Sequence, residues 1–464
     1  MRVAILILIF AYSLSSFAQV SFSIGNTTLE AKVIADNLFI PWDFDMDADG
    51  RLWFSERDGK ISRLNIETGE IELIFQIPTV YQSTDNSGLH AMALHPQFPI
   101  VPYVFCHYTT DLYNARLTRF TYSTISKTFV DSLHLLPNIP GNESHVGSRI
   151  VFEDNKTFYL STGDAYDSNL PQDQSSLAGK ILRLTIDGEP AEGNPFGNYT
   201  YSFGHRNPQG LHLASNGLLY SAEHGTSQDD ELNIIEAGRN YGWPEMEGFC
   251  DLPSEQNFCD QNNVREPLWV WTPTDAPCAI QYFNHPSIPE WQNSILIGFL
   301  KDKRLGVVHL NNDGTAATHE DEFLKLDFGR IREVFVSPNG KIYLSTSNNE
   351  PNGALVVQPD DDKIIEISNP SFSYVPNIKE LDINVGIFPN PSFGDLRIKL
   401  ENLTQDLNLT LSDLKGNIVA SQSVKSTTAK SFFSIQRGFI PKGVYVLKLE
   451  PDSGKTVTRK VIFL

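Results

Sequence analysis

The chain has 464 residues, of which 41% are hydrophobic and 11% aromatic, and a formal net charge of −20. That apolar share excludes a disordered chain, and the length predicts about two to three domains. A surface this acidic repels phosphate backbones, which excludes nucleic acid as a partner, while it suits solubility outside a cell or a bound cation.

At the N-terminus Arg2 precedes an apolar run from Val3 to Leu14, and Ser15, Ser16, Phe17 and Ala18 form a small-residue cleavage site before Gln19. The run is too short to cross a bilayer, so residues 1–18 read as a removable signal peptide. No later stretch approaches the ~20 apolar residues of a spanning helix, and no membrane span is expected.

From Leu29 to Ser368 one phrase recurs: an apolar strand, an Asp/Asn/Gly turn, and a strand ending in Ser or Thr. It appears as DFDMDADGRLWFSER from Asp43, IVFEDNKTFYLSTGD from Ile150, LHLASNGLLYSAEHG from Leu211 and VFVSPNGKIYLSTSN from Val334, with looser copies from Met92 and Ile288. Asp-Gly and Asn-Gly accept positive φ cheaply, so each copy predicts a hairpin. A further short strand follows each copy, and no amphipathic helix of useful length lies between them. Blades of this kind cannot bury both faces alone, and radial stacking solves the problem. The expectation for 29–368 is an all-β, six-bladed β-propeller; on repeats alone a stacked β-sandwich is the alternative.

Export permits disulfides. Cys250 and Cys259 flank the polar segment DLPSEQNF and are candidates for a local bridge, whereas Cys106 and Cys278 read as buried thiols. No C-x-x-C-H or paired C-x-x-C occurs, so neither a covalent haem nor a structural zinc is expected.

Residues 369–380 read as a Ser/Pro-containing linker, and 381–464 as a small β-sandwich of short alternating strands with turns at Asn390-Pro391, Lys415-Gly416 and Asp452-Ser453-Gly454. Its phrases FPNPSFGDL, LSDLKGN and KGVYVLKL, with a basic-apolar ending, resemble the C-terminal sorting domains of the Bacteroidetes type IX secretion system. That resemblance implies the type IX machinery as a partner and a destination outside the cell or on its surface. A carbohydrate-binding sandwich is the alternative.

The window from Ser144 to Pro244 is the richest in chemistry, with SHVGSRIVF, LSTGDAYD, GHRNPQGL, AEHGTSQDDELN and GRNYGWP. Together with NLFIPWDF, SERDGKI, LHPQF, TPTDAP, FLK and GRIREV, these phrases resemble the soluble glucose and aldose sugar dehydrogenases that use pyrroloquinoline quinone (PQQ). The match runs in order from about Asn37 to Ile367. It implies oxidation of a sugar at C1 to the lactone, PQQ and Ca2+ as cofactors, and an external electron acceptor, in a monomer or homodimer.

That chemistry needs a base for the hydroxyl proton. His145 suits the task because a neutral imidazole accepts a proton near working pH, and Asp164 would orient it. In the family the matching histidine is the general base; without the resemblance the pair would read as a surface His and a turn Asp. PQQ is a flat tricarboxylate that needs clustered cations. Arg330 and Arg332 alternate along a strand and so share a face, an arrangement suited to carboxylates, though in isolation usual for a solvated face. The resemblance adds Lys301, Thr274, Asn207 and Arg206, the last stabilising negative charge on the reduced quinone. Calcium falls to the carbonyls of Gly225 and Thr226, with Thr226 replacing the family's usual proline.

Asp230 matches a position beside the site, and Asp229 and Glu231 read as turn residues. His205 reads as structural and His224 as lining the substrate side. The family's G-L-L-G is Gly88-Leu89-His90-Ala91 here, and a pocket glutamine before it falls on Asn86 or Ser87; His90 either crowds the pocket or points into a blade core. Two other readings remain: a non-catalytic propeller binding a protein or glycan, and a calcium-dependent lactonase-like hydrolase.

Overall fold

Short segments that alternate apolar and polar residues bury their apolar faces only by pairing and then stacking sheet on sheet. In the computed structural model the chain does this in two compact units, Met1–Tyr374 and Val375–Leu464. The structure describes residues 19–83, 85–350, 357–373, 384–401, 406–413, 417–425, 431–438, 440–451 and 457–464. The expected signal peptide and part of the expected linker lie outside these residues.

The first unit is a six-bladed β-propeller. Five blades are four-stranded antiparallel sheets and the sixth has five strands. Their innermost strands are Pro41–Met46, Leu89–Leu94, Gly147–Phe152, Pro208–Leu213, Pro277–Phe283 and Ile331–Val336. Each lies beside the next, and Ile331–Val336 lies beside Pro41–Met46, which closes the ring.

Closure has a second component that the repeats do not announce. Thr27–Ala35 pairs antiparallel with Ile364–Ser368, with Val33 opposite Ile365, and Gln19–Ile24 adds an outer strand. The two ends of the propeller sequence thus share one blade, and neither can leave without breaking that sheet.

Trp53, Phe98, Tyr122 and Phe129 fill one boundary between blades, with Trp53 edge-on to Tyr122 at 5.2 Å. The indole nitrogen of Trp53 donates to Asp47 at 2.8 Å, so its polar edge is satisfied within the core. Truncating an aromatic so placed costs about 3–5 kcal/mol.

Two local features depart from the sequence reading. The copy read from Ile288 contributes the second strand of its blade, Ser294–Phe299; the innermost strand is Pro277–Phe283, and a 3₁₀ turn at Pro289–Trp291 interrupts the hairpin. A nine-residue helix, Pro253–Gln261, occupies the loop where no helix was expected. Pro253 suits its first turn, and Glu255 accepts the Leu252 amide at 3.1 Å. The helix buries no side chain, so it has no apolar stripe for a periodicity argument to find. No helix among the described residues is long and apolar enough to cross a membrane.

The second unit has a three-stranded and a four-stranded sheet, the latter ordered Ile418–Val424, Leu407–Asp413, Gly443–Pro451, Val457–Phe463. Leu396, Ile398, Leu409, Leu411 and Leu447 meet in a common core, as in a sandwich.

Candidate active site

All six innermost strands carry a register shift near their first residues. Bulges strengthen twist and re-aim side chains, so the strand entries splay at one end of the axis. There a cavity of about 310 Å³ opens, lined by His145, Arg206, Asn207, Thr274, Arg330 and Arg332, along with Gly225 and Thr226.

His145 precedes the third innermost strand, in left-handed backbone (φ 56°). Gly163 lets the chain pass close behind it, since a Cβ there would sit 2.0 Å from the His145 carbonyl oxygen. Such strain persists only where surroundings fix it. His145 Nδ1 donates to Asp164 Oδ1 at 2.8 Å, which leaves Nε2 as the basic nitrogen. Asp164 is buried; its Oδ2 accepts from Trp243 Nε1 at 2.9 Å and its Oδ1 also accepts the Tyr166 amide at 2.9 Å. The Tyr166 ring stacks on His145, centroids 3.9 Å apart.

Arg206 and Asn207 come from the loop before the fourth innermost strand. Arg206 donates to the His224 carbonyl at 3.0 Å and its guanidinium lies 5.3 Å from the Trp243 ring. Asn207 accepts the Gly147 amide at 3.1 Å, tying this loop to the histidine's strand. His224 lines the cavity as well; burial, then Arg206 and Arg332, lower its pKa to about 3.

Arg330 and Arg332 share a face, as alternation requires, and both meet Glu350, which sequence reasoning missed. Arg330 Nη2 reaches Glu350 at 2.5 Å, and Arg332 pairs with its other oxygen. Arg332 is buried, donates to Gln209 at 2.7 Å and lies over the Trp42 ring at 4.0 Å. Burial pushes Glu350 up, but Arg332, Arg330 and Arg57 outweigh it and hold the carboxyl below its ordinary range. Buried arginines demand a carboxylate, but nothing in GRIREV says which one.

Gly225 and Thr226 occupy a tight turn. A Cβ on Gly225 would lie 2.0 Å from the Gln228 carbonyl oxygen, and the Gly225 amide donates to Asp230 at 2.8 Å. Asp230 also accepts the Asp275 and Ala276 amides at 2.6 and 2.7 Å, so one carboxylate joins this turn to the TPTDAP loop. Among the described residues no hydrogen bond ends on the Gly225 or Thr226 carbonyl. Lys301 is exposed and does not line the cavity; its Nζ donates at 2.8 Å to Thr274 Oγ1, a residue that does.

Asn86 lines the cavity and Ser87 is buried. His90 points inward, against Trp42 at 4.4 Å, with Nε2 2.6 Å from the Asn86 carbonyl oxygen. His205 is buried between Ser202 and Glu223. Cys250 is bonded to Cys259 beside Met246, and Cys106 and Cys278 are buried and free.

Below the cavity the axis is stapled by charge. Arg149 pairs with Asp43 at 2.8 Å and with Glu333, which joins the third blade to the first and sixth.

Fold and site define a propeller with a cationic, histidine-bearing cavity on its axis. A family model described as Glucose / Sorbosone dehydrogenase matches residues 38–357, and the chain belongs to that family. A Secretion system C-terminal sorting domain occupies residues 386–463. Quinoprotein glucose dehydrogenase B of Acinetobacter calcoaceticus is 26% identical, the alignment covering 80% of this chain and 96% of that protein. An aldose sugar dehydrogenase of Escherichia coli is 28% identical over 71% of this chain and 92% of its own length. The PQQ-bound structure of an aldose sugar dehydrogenase from Streptomyces coelicolor superposes with a TM-score of 0.65 at 34% identity, covering 73% of this chain and 98% of that one. The protein is thus an oxidoreductase of the glucose/aldose sugar dehydrogenase type.

Proposed function

We propose that the chain is an exported quinoprotein that oxidises an aldose at C1 to the lactone, using PQQ and Ca2+ and passing electrons to an external acceptor. One observation carries this reading: the His145–Asp164 pair opens onto the same cavity as Arg206, Arg330 and Arg332. Among the described residues the buried Nε–H groups of these three arginines have no partner, and a planar tricarboxylate is the kind of ligand that such donors suit. The Gly225 and Thr226 carbonyls are hard oxygen ligands of the sort Ca2+ takes. The residues present therefore fit both groups. Arg206, Asn207, Thr274, Arg330 and Arg332 would hold the quinone, with Lys301 acting through Thr274, and the two carbonyls would hold the metal. When bound, the quinone supplies the hydride acceptor and the calcium its polarisation.

The chain's own contribution is proton handling and positioning. His145 Nε2 takes the C1-hydroxyl proton, and Asp164 stabilises the imidazolium that forms. Trp243 and the Tyr166 amide hold Asp164 still, so little reorganisation is needed as charge develops. Arg206, fixed by the His224 carbonyl, offers a positive charge where negative charge accumulates. A non-catalytic propeller would have no use for an imidazole oriented by a buried carboxylate, which favours the enzyme. The sorting domain supports export by the type IX machinery to the surface or the medium.

Reconstituting the purified protein with PQQ and Ca2+ and following dye reduction with a panel of aldoses tests the reading. Turnover of an aldose that requires both additions is expected. Failure to bind PQQ would overturn it in favour of a binding module.

A further inference from the structure

The outer part of the fifth blade holds a cluster that this chemistry does not use. Strand Leu305–Leu310 pairs antiparallel with Ala317–Phe323, and His309 stands directly opposite His319. Residues two apart on a strand share a face, so Asp321 joins His319 on that side. The two imidazoles stack with centroids 4.2 Å apart and planes 3° from parallel. His309 Nε2 lies 3.1 Å from Asp321 Oδ2, and one ligand atom from each of the three residues lies within 4.8 Å of the others.

Thr318 sets the tautomer of one ligand. Its hydroxyl donates to the His309 carbonyl at 3.1 Å, so it accepts the Nδ1–H of His319, also at 3.1 Å. The lone pair of His319 Nε2 is therefore available. Metal-binding histidines usually donate their other ring N–H to an oxygen in this way, which fixes the ring's orientation.

We propose that His309, His319 and Asp321 form a binding site for a divalent transition-metal ion, with zinc as the reference occupant and solvent completing the coordination. Two imidazole nitrogens and one carboxylate suit zinc, cobalt or nickel, while calcium prefers oxygen alone, so the site does not compete for the calcium proposed at the axis. Metal–ligand bonds of about 2.0–2.2 Å require donor atoms within roughly 4.4 Å of one another and the ion in the plane of each imidazole, so the stacked rings must turn about their Cβ–Cγ bonds to unstack on binding. Asp321 is free to rotate as well, its side chain being 47% exposed. The sheet provides the rest of the preorganisation, because His309 and His319 are fixed opposite each other by their strands.

The test is a cobalt titration of the full-length, untagged protein, loaded with Ca2+ and followed by visible absorption, with zinc as competitor. One equivalent of Co2+ giving an absorption band that zinc abolishes is expected. His319→Ala, an exposed substitution, should lower cobalt affinity by more than about tenfold with an unchanged circular dichroism spectrum, and Thr318→Val should lower it less. No saturable cobalt binding, or equal binding by wild type and His319→Ala, would overturn the assignment.

Discussion

Asp164 accepts the Nδ1 proton of His145 at 2.8 Å, and it does so from a buried position just beyond strand Thr157–Thr162. The acid is held from the other side by Trp243, so it fixes both the tautomer and the angle of the imidazole. Asp164→Asn keeps the shape but presents an amide that can favour the wrong tautomer. The expected outcome is a fall in kcat of roughly 10²–10⁴-fold with PQQ affinity unchanged, read from steady-state kinetics and cofactor titration. Trp243→Phe should cost less, because the carboxylate stays charged.

Glu350 is the shared counter-ion of Arg330 and Arg332. Glu350→Gln leaves the buried Arg332 and the partly buried Arg330 short of a carboxylate, a loss of about 3–5 kcal/mol. PQQ would resupply carboxylates to the same pair. The rise in melting temperature on adding PQQ should therefore be larger in Glu350→Gln than in wild type; a smaller rise would contradict the counter-ion role.

The fold was legible where the chain repeats itself and illegible where it closes. Asn-Gly and Asp-Gly turns between alternating strands identify the blades because the hairpin is a local event. The pairing of Thr27–Ala35 with Ile364–Ser368 joins distant segments, and nothing near either one announces its partner. The site divides in the same way. His145, Asp164, Arg206, Arg330 and Arg332 sit in motifs that can be read along the chain. Glu350 reaches Arg330 and Arg332 from a loop of their own blade that no motif marks, Arg149 acts across blades, and Trp243, though inside the quoted phrase GRNYGWP, acquires its role only by reaching Asp164.

Arg149 binds two buried carboxylates, Asp43 and Glu333, from different blades. Arg149→Met would strand both charges at the hub. A loss of about 3–5 kcal/mol is expected from the denaturant midpoint, whereas Arg119→Met, whose partner Asp187 is exposed, should lose far less.

His90 and His107 are buried neutral at the core. Burial, with His107 and two arginines beside it, lowers His90 to about 3, and burial alone lowers His107 to about 3. The unfolded chain, with histidines near 6.5, binds more protons between about pH 3 and 6.5. The contribution of each is thus complete above the unfolded value and is lost as pH falls through that window, at up to about 1.4 kcal/mol per pH unit. Comparing wild type with His90→Gln isolates the effect from buried carboxylates that titrate in the opposite sense. The variant should lose less stability than wild type between pH 7 and pH 5; parallel curves would contradict the assignment.

The most direct measurement compares wild type and His145→Ala after loading both with PQQ and Ca2+. Equal cofactor binding with turnover abolished in the variant is the result expected if this imidazole takes the substrate proton. Normal turnover by His145→Ala would show that the base lies elsewhere.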